Sequence, residues 1–237
     1  MARFVFAVGL FVLALPAAAA TRSRAVATLP NVMISGVVRD AVTGSPIAGA
    51  LVRSGTHQCL HATGEDGKYT LTLPGGRPAI LTAEQFAYLS SVAVVTPVQG
   101  LTFDFALNQK PMVTIKLTSG STAVVPLDSL KFGYYVLFIG TEASDRVNLC
   151  KPAGSSFVPS KDEMAKITGP ITPVSFSPCC DRGTILTANL ELKTGEKTAV
   201  YFNDTCYGED DFIFGRDRST GATVSVNFAD IAEVDFP

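Results

Sequence analysis

The sequence is poor in the side chains that most enzymes use for proton transfer and metal binding. Its 237 residues include two histidines, five cysteines and no tryptophan. A serine nucleophile needs a neighbouring base, and the chain has no Gly-x-Ser-x-Gly motif, no phosphate-binding P-loop and no dinucleotide fingerprint. We therefore expect a protein that is not an enzyme and that uses no cofactor.

An excess of charge of either sign is also missing. The chain has 19 lysines and arginines against 21 aspartates and glutamates, which gives a formal net charge of -2. Proteins that bind nucleic acids present a basic surface to the phosphate backbone. We therefore expect no nucleic-acid partner.

Long hydrophobic runs are missing everywhere except at the N-terminus. There Arg3 precedes an apolar run from Phe4 to Leu15, and Pro16 and an alanine run follow. This pattern predicts a secretory signal peptide at residues 1–20, cleaved near Ala20, and an uncleaved N-terminal anchor is the alternative. The run is short for a membrane span, which needs about 20 residues. We expect a secreted or periplasmic bacterial protein with no transmembrane span after cleavage.

Short runs rich in valine, threonine, isoleucine and aromatic residues, punctuated by glycine and proline, make up the rest of the chain. This composition favours strands, and we predict an all-β fold. Residues 101–107, LTFDFAL, alternate apolar and polar side chains, as expected of a strand with one buried face. Residues 78–91 are also predicted to form a strand. The one predicted helix is Ser160–Ile167, where Ser160 and Glu163 have the spacing of a capping box.

Residues 33–109 carry a series of turn-forming residues at spacings that are found in a known family. The matching positions are Gly36, Asp40, Thr43, Gly44, Pro46, Gly49, Ala50, Val52, Thr63, Asp66, Gly67, Tyr69, Pro74 and Gly75. The segment resembles the carboxypeptidase regulatory-like domain, a transthyretin-like or Ig-like β-sandwich. The resemblance implies a fold and not an activity. The family's peptidase domain is absent, and two histidines without a His-x-x-Glu motif cannot form a carboxypeptidase zinc site.

The domain organisation follows from this resemblance and from Pro111. We predict a linker at 21–32, a carboxypeptidase regulatory-like β-sandwich at 33–110, and a second β-rich domain at 111–237. The second part contains a weak repeat, because residues 118–130, 193–205 and 219–231 align on a turn glycine without gaps. Hairpins share turn chemistry by default, so we favour that explanation over a duplication.

Four of the five cysteines, Cys150, Cys179, Cys180 and Cys206, lie in the second part. In an exported protein they suggest two disulfides that staple the domain. Adjacent cysteines rarely bond each other, so we expect Cys179 and Cys180 each to bond one of the other two, and the sequence does not choose which. A redox-active or metal-binding set of thiols is the alternative, although no Cys-x-x-Cys motif is present.

The fifth cysteine lies in the segment HQCLH, where His57, Cys59 and His61 would share one face of a strand. Along a regular strand these side chains spread over about 13 Å, which is too far for all three to bind one ion at about 2.0–2.3 Å. We therefore expect no metal, and we keep these residues only as weak candidates. Cys59 would then be free, buried or bonded to another chain.

Binding is the function that we expect, and its candidate residues lie in two segments. One segment contains Phe86 and Tyr88, and the other contains Tyr207, Asp210 and Phe212. The acidic run 209–211 in the second segment lacks the ligand spacing of a calcium loop, so we interpret it as a solvated turn.

The sequence therefore predicts a secreted or periplasmic, non-catalytic β-protein. Its role would be structural or adhesive, as a binding module at the cell envelope whose partner is a protein or a glycan. Two alternatives remain. One is an envelope metal-handling protein that uses His57, Cys59 and His61. The other is a hydrolase that depends on the carboxylates of residues 209–211.

Overall fold

The structure of the chain is a computed structural model, which describes residues 29–55, 60–136, 140–174, 185–202 and 212–237. The predicted all-β fold is confirmed, because these ranges contain strands and two short 3-10 turns but no α-helix. None of their helical turns is long and apolar enough to cross a membrane. The predicted signal peptide and most of the predicted linker lie outside the described residues.

In the N-terminal lobe, residues 29–110, the described strands form two sheets. Its strands are β1 (Asn31–Asp40), β2 (Leu51–Ser54), β3 (Leu60–Ala62), β4 (Lys68–Pro74), β5 (Ala79–Glu84), β6 (Ser91–Val95) and β7 (Phe105–Leu107). One sheet has the order β4-β1-β7 and the other has the order β3-β2-β5-β6. Strand β1 is antiparallel to β4 and parallel to β7.

The two sheets enclose one hydrophobic core in a sandwich-like arrangement. In β4, Tyr69, Leu71 and Leu73 are buried, and the residues between them are exposed. They pack against Val52 and Leu81 of the facing sheet. The alternation along β4 therefore follows from the period of a strand that has one face in the core.

The alternation predicted for residues 101–107 is confirmed. The side chains at 101, 103, 105 and 107 contribute to the core, and those at 102, 104 and 106 are exposed. Phe105–Leu107 forms a regular strand, and the residues before it lie close over Gly36, where the N–H of Phe103 donates to the carbonyl of Ser35 at 2.8 Å. The Tyr69 hydroxyl donates a 2.6 Å hydrogen bond to the carbonyl of Phe103 and holds this crossing in place.

The strand predicted at residues 78–91 is wrong in its second half. Strand β5 ends at Glu84, and the chain rejoins the sheet at Ser91. The reason is local, since the side-chain oxygen of Gln85 accepts from the backbone N–H of Ala87 at 2.7 Å, and the N–H of Tyr88 donates to the carbonyl of Gln85. Residues 85–90 therefore leave the sheet as a turn.

In the C-terminal lobe, residues 111–237, the described strands also form two sheets. Its strands are β8 (Met112–Leu117), β9 (Thr122–Pro126), β10 (Lys131–Val136), β11 (Gly140–Ser144), β12 (Leu149–Cys150), β13 (Ser156–Phe157), β14 (Met164–Val174), β15 (Ile185–Leu192), β16 (Lys197–Phe202), β17 (Phe212–Arg216), β18 (Thr223–Asn227) and β19 (Ile231–Asp235). The sheet orders are β11-β10-β17-β18 and β13-β12-β16-β15-β14-β19-β8-β9. The 3-10 turns Leu127–Ser129 and Phe228–Asp230 follow β9 and β18.

The core of this lobe is centred on the buried ring of Phe228. The ring centre of Phe202 lies 4.3 Å from that of Phe228, and the Phe132 ring lies 6.3 Å away on a nearly parallel plane. The rings come from both sheets and from the second 3-10 turn, so this cluster of three rings joins three parts of the lobe.

The three repeated segments all form the second half of an antiparallel hairpin, and their turn glycines have positive φ values of 87°, 87° and 69° at Gly120, Gly195 and Gly221. Shared turn chemistry explains that much. The first and third copies share more, since each continues into a 3-10 turn and a further strand. With their flanking strands, these two copies form one unit from β8 to β10 and another from β17 to β19. The last strand of each unit pairs with the first strand of the other, as β10 with β17 and β19 with β8.

The predicted helix Ser160–Ile167 is wrong. The capping contacts do form, because the backbone N–H and the hydroxyl of Ser160 both donate to the Glu163 carboxylate, at 2.7 and 2.9 Å. They close a turn, and from Met164 the chain continues as β14. Met164 and Ile167 are fully buried in a strand that pairs with β15 and β19, so tertiary packing overrides the local helix signal.

The close crossing over Gly36 provides a test of the N-terminal lobe. A β-carbon at Gly36 would lie 1.7 Å from the carbonyl oxygen of Phe103, whereas one at Gly64 would meet only ordinary contacts. We expect Gly36→Ala to lower the free energy of unfolding by about 3 kcal/mol or more, because backbone must move. Gly64→Ala should stay within about 1 kcal/mol of the wild type. The measurement is urea unfolding, and equal midpoints for the two variants would contradict the described crossing.

Candidate functional site

Two of the three candidate metal ligands lie outside the residues that the structure describes. His57 and Cys59 lie outside the described residues. His61 lies on β3 opposite Val52 and is half-buried. Within the described ranges, no three histidine, cysteine or acidic side chains converge as a metal site would require. The metal-handling alternative therefore stays untested.

The second group of candidate residues is also largely outside the described ranges. The residues of this group outside the described ranges are Tyr207, Asp210 and the rest of the acidic run. Cys179, Cys180 and Cys206 also lie outside the described ranges. Phe212 is described and begins β17, where its ring centre lies 5.6 Å from that of Phe214. A β-carbon at Gly133 would lie 2.6 Å from the Phe212 ring, so this side chain lies close over Gly133 of the paired strand β10.

Phe86 and Tyr88 lie in a groove between the two lobes. This interlobe groove has a volume of about 760 Å³. It is lined by Ala48, Gly49, Leu51, residues 84–86, residues 88–90 and Lys110 from the N-terminal lobe, and by Arg216 and residues 219–221 from the C-terminal lobe. Ligand sites often lie where two domains meet, because such joints form concave surfaces.

The ring of Phe86 is half-buried and is contacted by two parts of the C-terminal lobe. The guanidinium carbon of Arg216 lies 5.7 Å from the ring centre, within the range of a cation–π contact. Gly221 lies against the ring edge, where an added β-carbon would be 3.3 Å from the nearest ring atom. The hairpin between β17 and β18 thus reaches across the joint and contacts the ring through two residues.

The hydroxyl group of Tyr88 is anchored by the buried carboxylate of Asp40. The Tyr88 hydroxyl and the Gln109 amide donate to one oxygen of Asp40, at 3.1 and 2.6 Å. The other oxygen accepts from the backbone N–H groups of Val42 and Thr43, at 2.8 and 2.9 Å. Asp40, one of the turn-forming residues of the motif, therefore caps the turn after β1 and also positions Tyr88 in the groove.

These hydrogen bonds shift two pKa values in opposite directions. The hydrogen bond from Gln109 and the two backbone donors hold the pKa of Asp40 well below its ordinary range. Burial, together with the hydrogen bond to Asp40, raises the pKa of Tyr88, and the nearby Arg218 guanidinium opposes this shift. Both groups therefore keep their usual charge at neutral pH, with Asp40 ionised and Tyr88 neutral.

Most charged groups around the interlobe groove are already paired. Glu84 binds Arg53 at 3.2 Å, and Lys110 binds Asp128 of the C-terminal lobe at 2.8 Å. Arg216 donates from its Nε to the carbonyl of Gly221 at 3.2 Å, but it has no ion-pair partner among the described residues. The groove thus presents the guanidinium of Arg216, which no described carboxylate neutralises, and the guanidinium of Arg218 lies nearby at Tyr88.

The neighbouring hydroxyl groups of the β17–β18 hairpin already donate to a protein carboxylate. Ser219 and Thr220 both donate their hydroxyls to one oxygen of Asp217, at 2.6 and 3.0 Å. The hydrogen bond from Ser219 and the other donors lower the pKa of Asp217 to about 2. These contacts stiffen the hairpin that carries Arg216 and Gly221.

A second cavity of about 400 Å³ lies beside the joint and contains a buried lysine. The ammonium of Lys161 contacts the Asp145 carboxylate at 2.5 Å and donates to the carbonyl of Leu130 at 2.9 Å. Lys131 pairs with the same carboxylate at 2.9 Å. Both cations are satisfied by protein groups, so this cavity is a structural ion-pair site.

Comparisons with known proteins place the chain in no family. No protein family matches its sequence, and no curated protein is similar to it. One solved structure with some likeness is that of a candidate carbohydrate-binding protein from Bacteroides uniformis. The likeness covers 84% of this chain and 100% of that chain, with 8% identity and a TM-score of 0.29. At this TM-score the likeness supports no conclusion about function.

The carboxylate of Asp40 provides a test of how Tyr88 is held in the groove. Asp40→Asn places an amide N–H₂ where Tyr88 and Gln109 now donate, so we expect a lower urea midpoint at pH 7. Because the folded pKa is lowered from 3.8, the stabilisation by Asp40 is complete above that value and is lost as the pH falls through the folded pKa. The wild type should therefore lose more stability than the variant between about pH 5 and pH 2.

The control for this test is Glu65→Gln, which removes one carboxylate that is exposed and has no hydrogen bond or ion pair among the described residues. It should leave both the midpoint at pH 7 and its dependence on pH nearly unchanged. If Asp40→Asn and the wild type lost stability in parallel across this window, the hydrogen-bonded state of Asp40 would be disproved.

Proposed function

We propose that the chain is a non-catalytic binding module and that the interlobe groove is its ligand site. The observation that carries this proposal is the fixed position of Phe86 and Tyr88 at the joint. One is held by Arg216 and Gly221 of the other lobe, and one is held by a buried carboxylate. A preorganised aromatic surface with a few polar groups is what binding sites need, because little conformational entropy is lost when a ligand arrives.

We also propose that the N-terminal lobe is a carboxypeptidase regulatory-like domain. The support lies in the turn residues of the motif. Gly44 and Gly67 both have a φ of 71°, a conformation that disfavours side chains with a β-carbon. Asp66 accepts from the backbone N–H of Lys68 at 3.1 Å, and Asp40 caps the turn after β1. The motif residues therefore act as turn formers, which is the role that the resemblance implies.

The proposed module is exported to the periplasm or beyond the cell and acts at the envelope on a protein or a glycan. Export would allow its C-terminal lobe to be stapled by disulfides. Cys150, one of the four cysteines proposed to pair, is fully buried on β12. Its proposed partners lie outside the described residues.

The mass of the exported protein tests export and disulfide formation together. We expect loss of the segment up to about Ala20, because signal peptidase cuts after small residues. We also expect a gain of the mass of four hydrogen atoms on reduction. The measurement is intact mass spectrometry with and without a reductant. A mass that includes residues 1–20, or one that reduction does not change, would contradict this part of the proposal.

Filling the interlobe groove tests whether it is the ligand site. Ser90 lines the groove, is exposed, and has no side-chain hydrogen bond among the described residues, so Ser90→Trp should fill space without removing a contact. We expect this variant to weaken, by at least about tenfold, the binding of any ligand found by screening the full chain on an array of oligosaccharides and peptides.

The matched control is Ser155→Trp, which places the same side chain on an exposed turn that does not line the groove. This variant should bind as the wild type does. Both variants should unfold at the wild-type urea midpoint within error, which separates blocked binding from misfolding. Unchanged binding by a folded Ser90→Trp variant would show that the groove is not the site.

A further inference from the structure

We infer that the interlobe groove binds an acidic saccharide and that Arg216 pairs with its carboxylate. This inference rests on the proposed function of the groove and names the class of ligand. Its basis is the positive charge of Arg216, which remains when the ion pairs of the other charged residues that line the groove are taken into account. Glu84 and Lys110 each have a partner of opposite sign, and the guanidinium of Arg216 has none among the described residues.

Arg216 is held ready for such a contact. Its Nε is bound to the carbonyl of Gly221, and its guanidinium lies by the ring of Phe86. The two terminal nitrogens make no hydrogen bond to a described residue. A guanidinium held by its Nε and by an aromatic ring can offer these two nitrogens together to a carboxylate, which is the bidentate geometry that arginine favours.

The other groups in the groove suit a ligand that is rich in hydroxyl groups. Gln85 uses its side-chain oxygen for Ala87, and its amide nitrogen is left without a partner among the described residues. The hydroxyl of Ser90 likewise has no hydrogen-bond partner among the described residues. These groups lie beside the half-buried ring of Phe86. A sugar presents both hydroxyls and an apolar C–H face, so it can satisfy the donors and contact the ring at once.

An extended acidic peptide fits this groove less well. Peptides in the extended conformation usually gain affinity by adding a strand to an open sheet edge. Much of the groove is lined by the turns at residues 48–49, 85–90 and 219–221, which offer no continuous row of backbone groups. The charge and the shape of the groove together favour a saccharide that carries a uronate.

The test compares three probes by calorimetric titration into the full chain. The probes are trigalacturonate, its methyl ester, and a short oligoglutamate peptide. The ester keeps the sugar and removes the charge. We expect the wild type to bind the acid at least about tenfold more tightly than the ester, since a charge-assisted bond to arginine is lost. Arg216→Gln should abolish this difference, and Arg216→Lys should restore it in part.

The control is Arg77→Gln, which removes the same charge from an exposed arginine that does not line the groove, and it should keep the preference for the acid. Equal affinity for acid and ester, a preference that persists in Arg216→Gln, binding of the peptide in place of the uronide, or binding of none of the probes would each overturn the inference. If acid and ester bind equally and Ser90→Trp blocks the binding of both, the requirement for an acidic group is wrong, but the groove remains the ligand site. If Ser90→Trp blocks neither, the proposed function itself fails.

Discussion

The buried carboxylate of Asp40 is the constraint on which the groove side of the N-terminal lobe depends. It lies at the end of β1 and receives four hydrogen bonds, two from the backbone of the following turn and two from Tyr88 and Gln109. A buried charge is tolerated only when such donors compensate for lost hydration. The same bonds therefore stabilise the ion, close the turn and hold Tyr88 in the groove.

The two lobes are joined by specific contacts of residues that line the groove. The ion pair between Lys110 and Asp128 connects the end of the N-terminal lobe to the first 3-10 turn of the C-terminal lobe. The contacts of Phe86 with Arg216 and Gly221 connect the two lobes again across the groove. Two separate connections restrict rotation about the joint, so the ring and the guanidinium keep a defined spacing.

Local sequence patterns predicted the strands well where one face of a strand lies in a core. Residues 101–107 and β4 alternate in the structure as they do in the sequence, because burial and strand period act on the same residues. Such patterns failed at Ser160, where the capping contacts with Glu163 form but a helix does not. They also failed after Glu84, where Gln85 turns the chain out of the sheet. Pairing with β15 and β19 decides the first case, whereas local hydrogen bonds to Gln85 decide the second.

By itself, the sequence determined the all-β fold and the turns capped by Asp40 and Asp66, and it pointed to Phe86 and Tyr88 as candidate contacts. It could not place Arg216 and Gly221 beside Phe86, since about 130 residues separate them along the chain and no local pattern links such distant positions. Only the tertiary structure brings the β17–β18 hairpin over the turn at residues 85–90. It also shows that Arg216 is left without a described carboxylate partner, because pairing depends on distances in space that the order of residues does not specify.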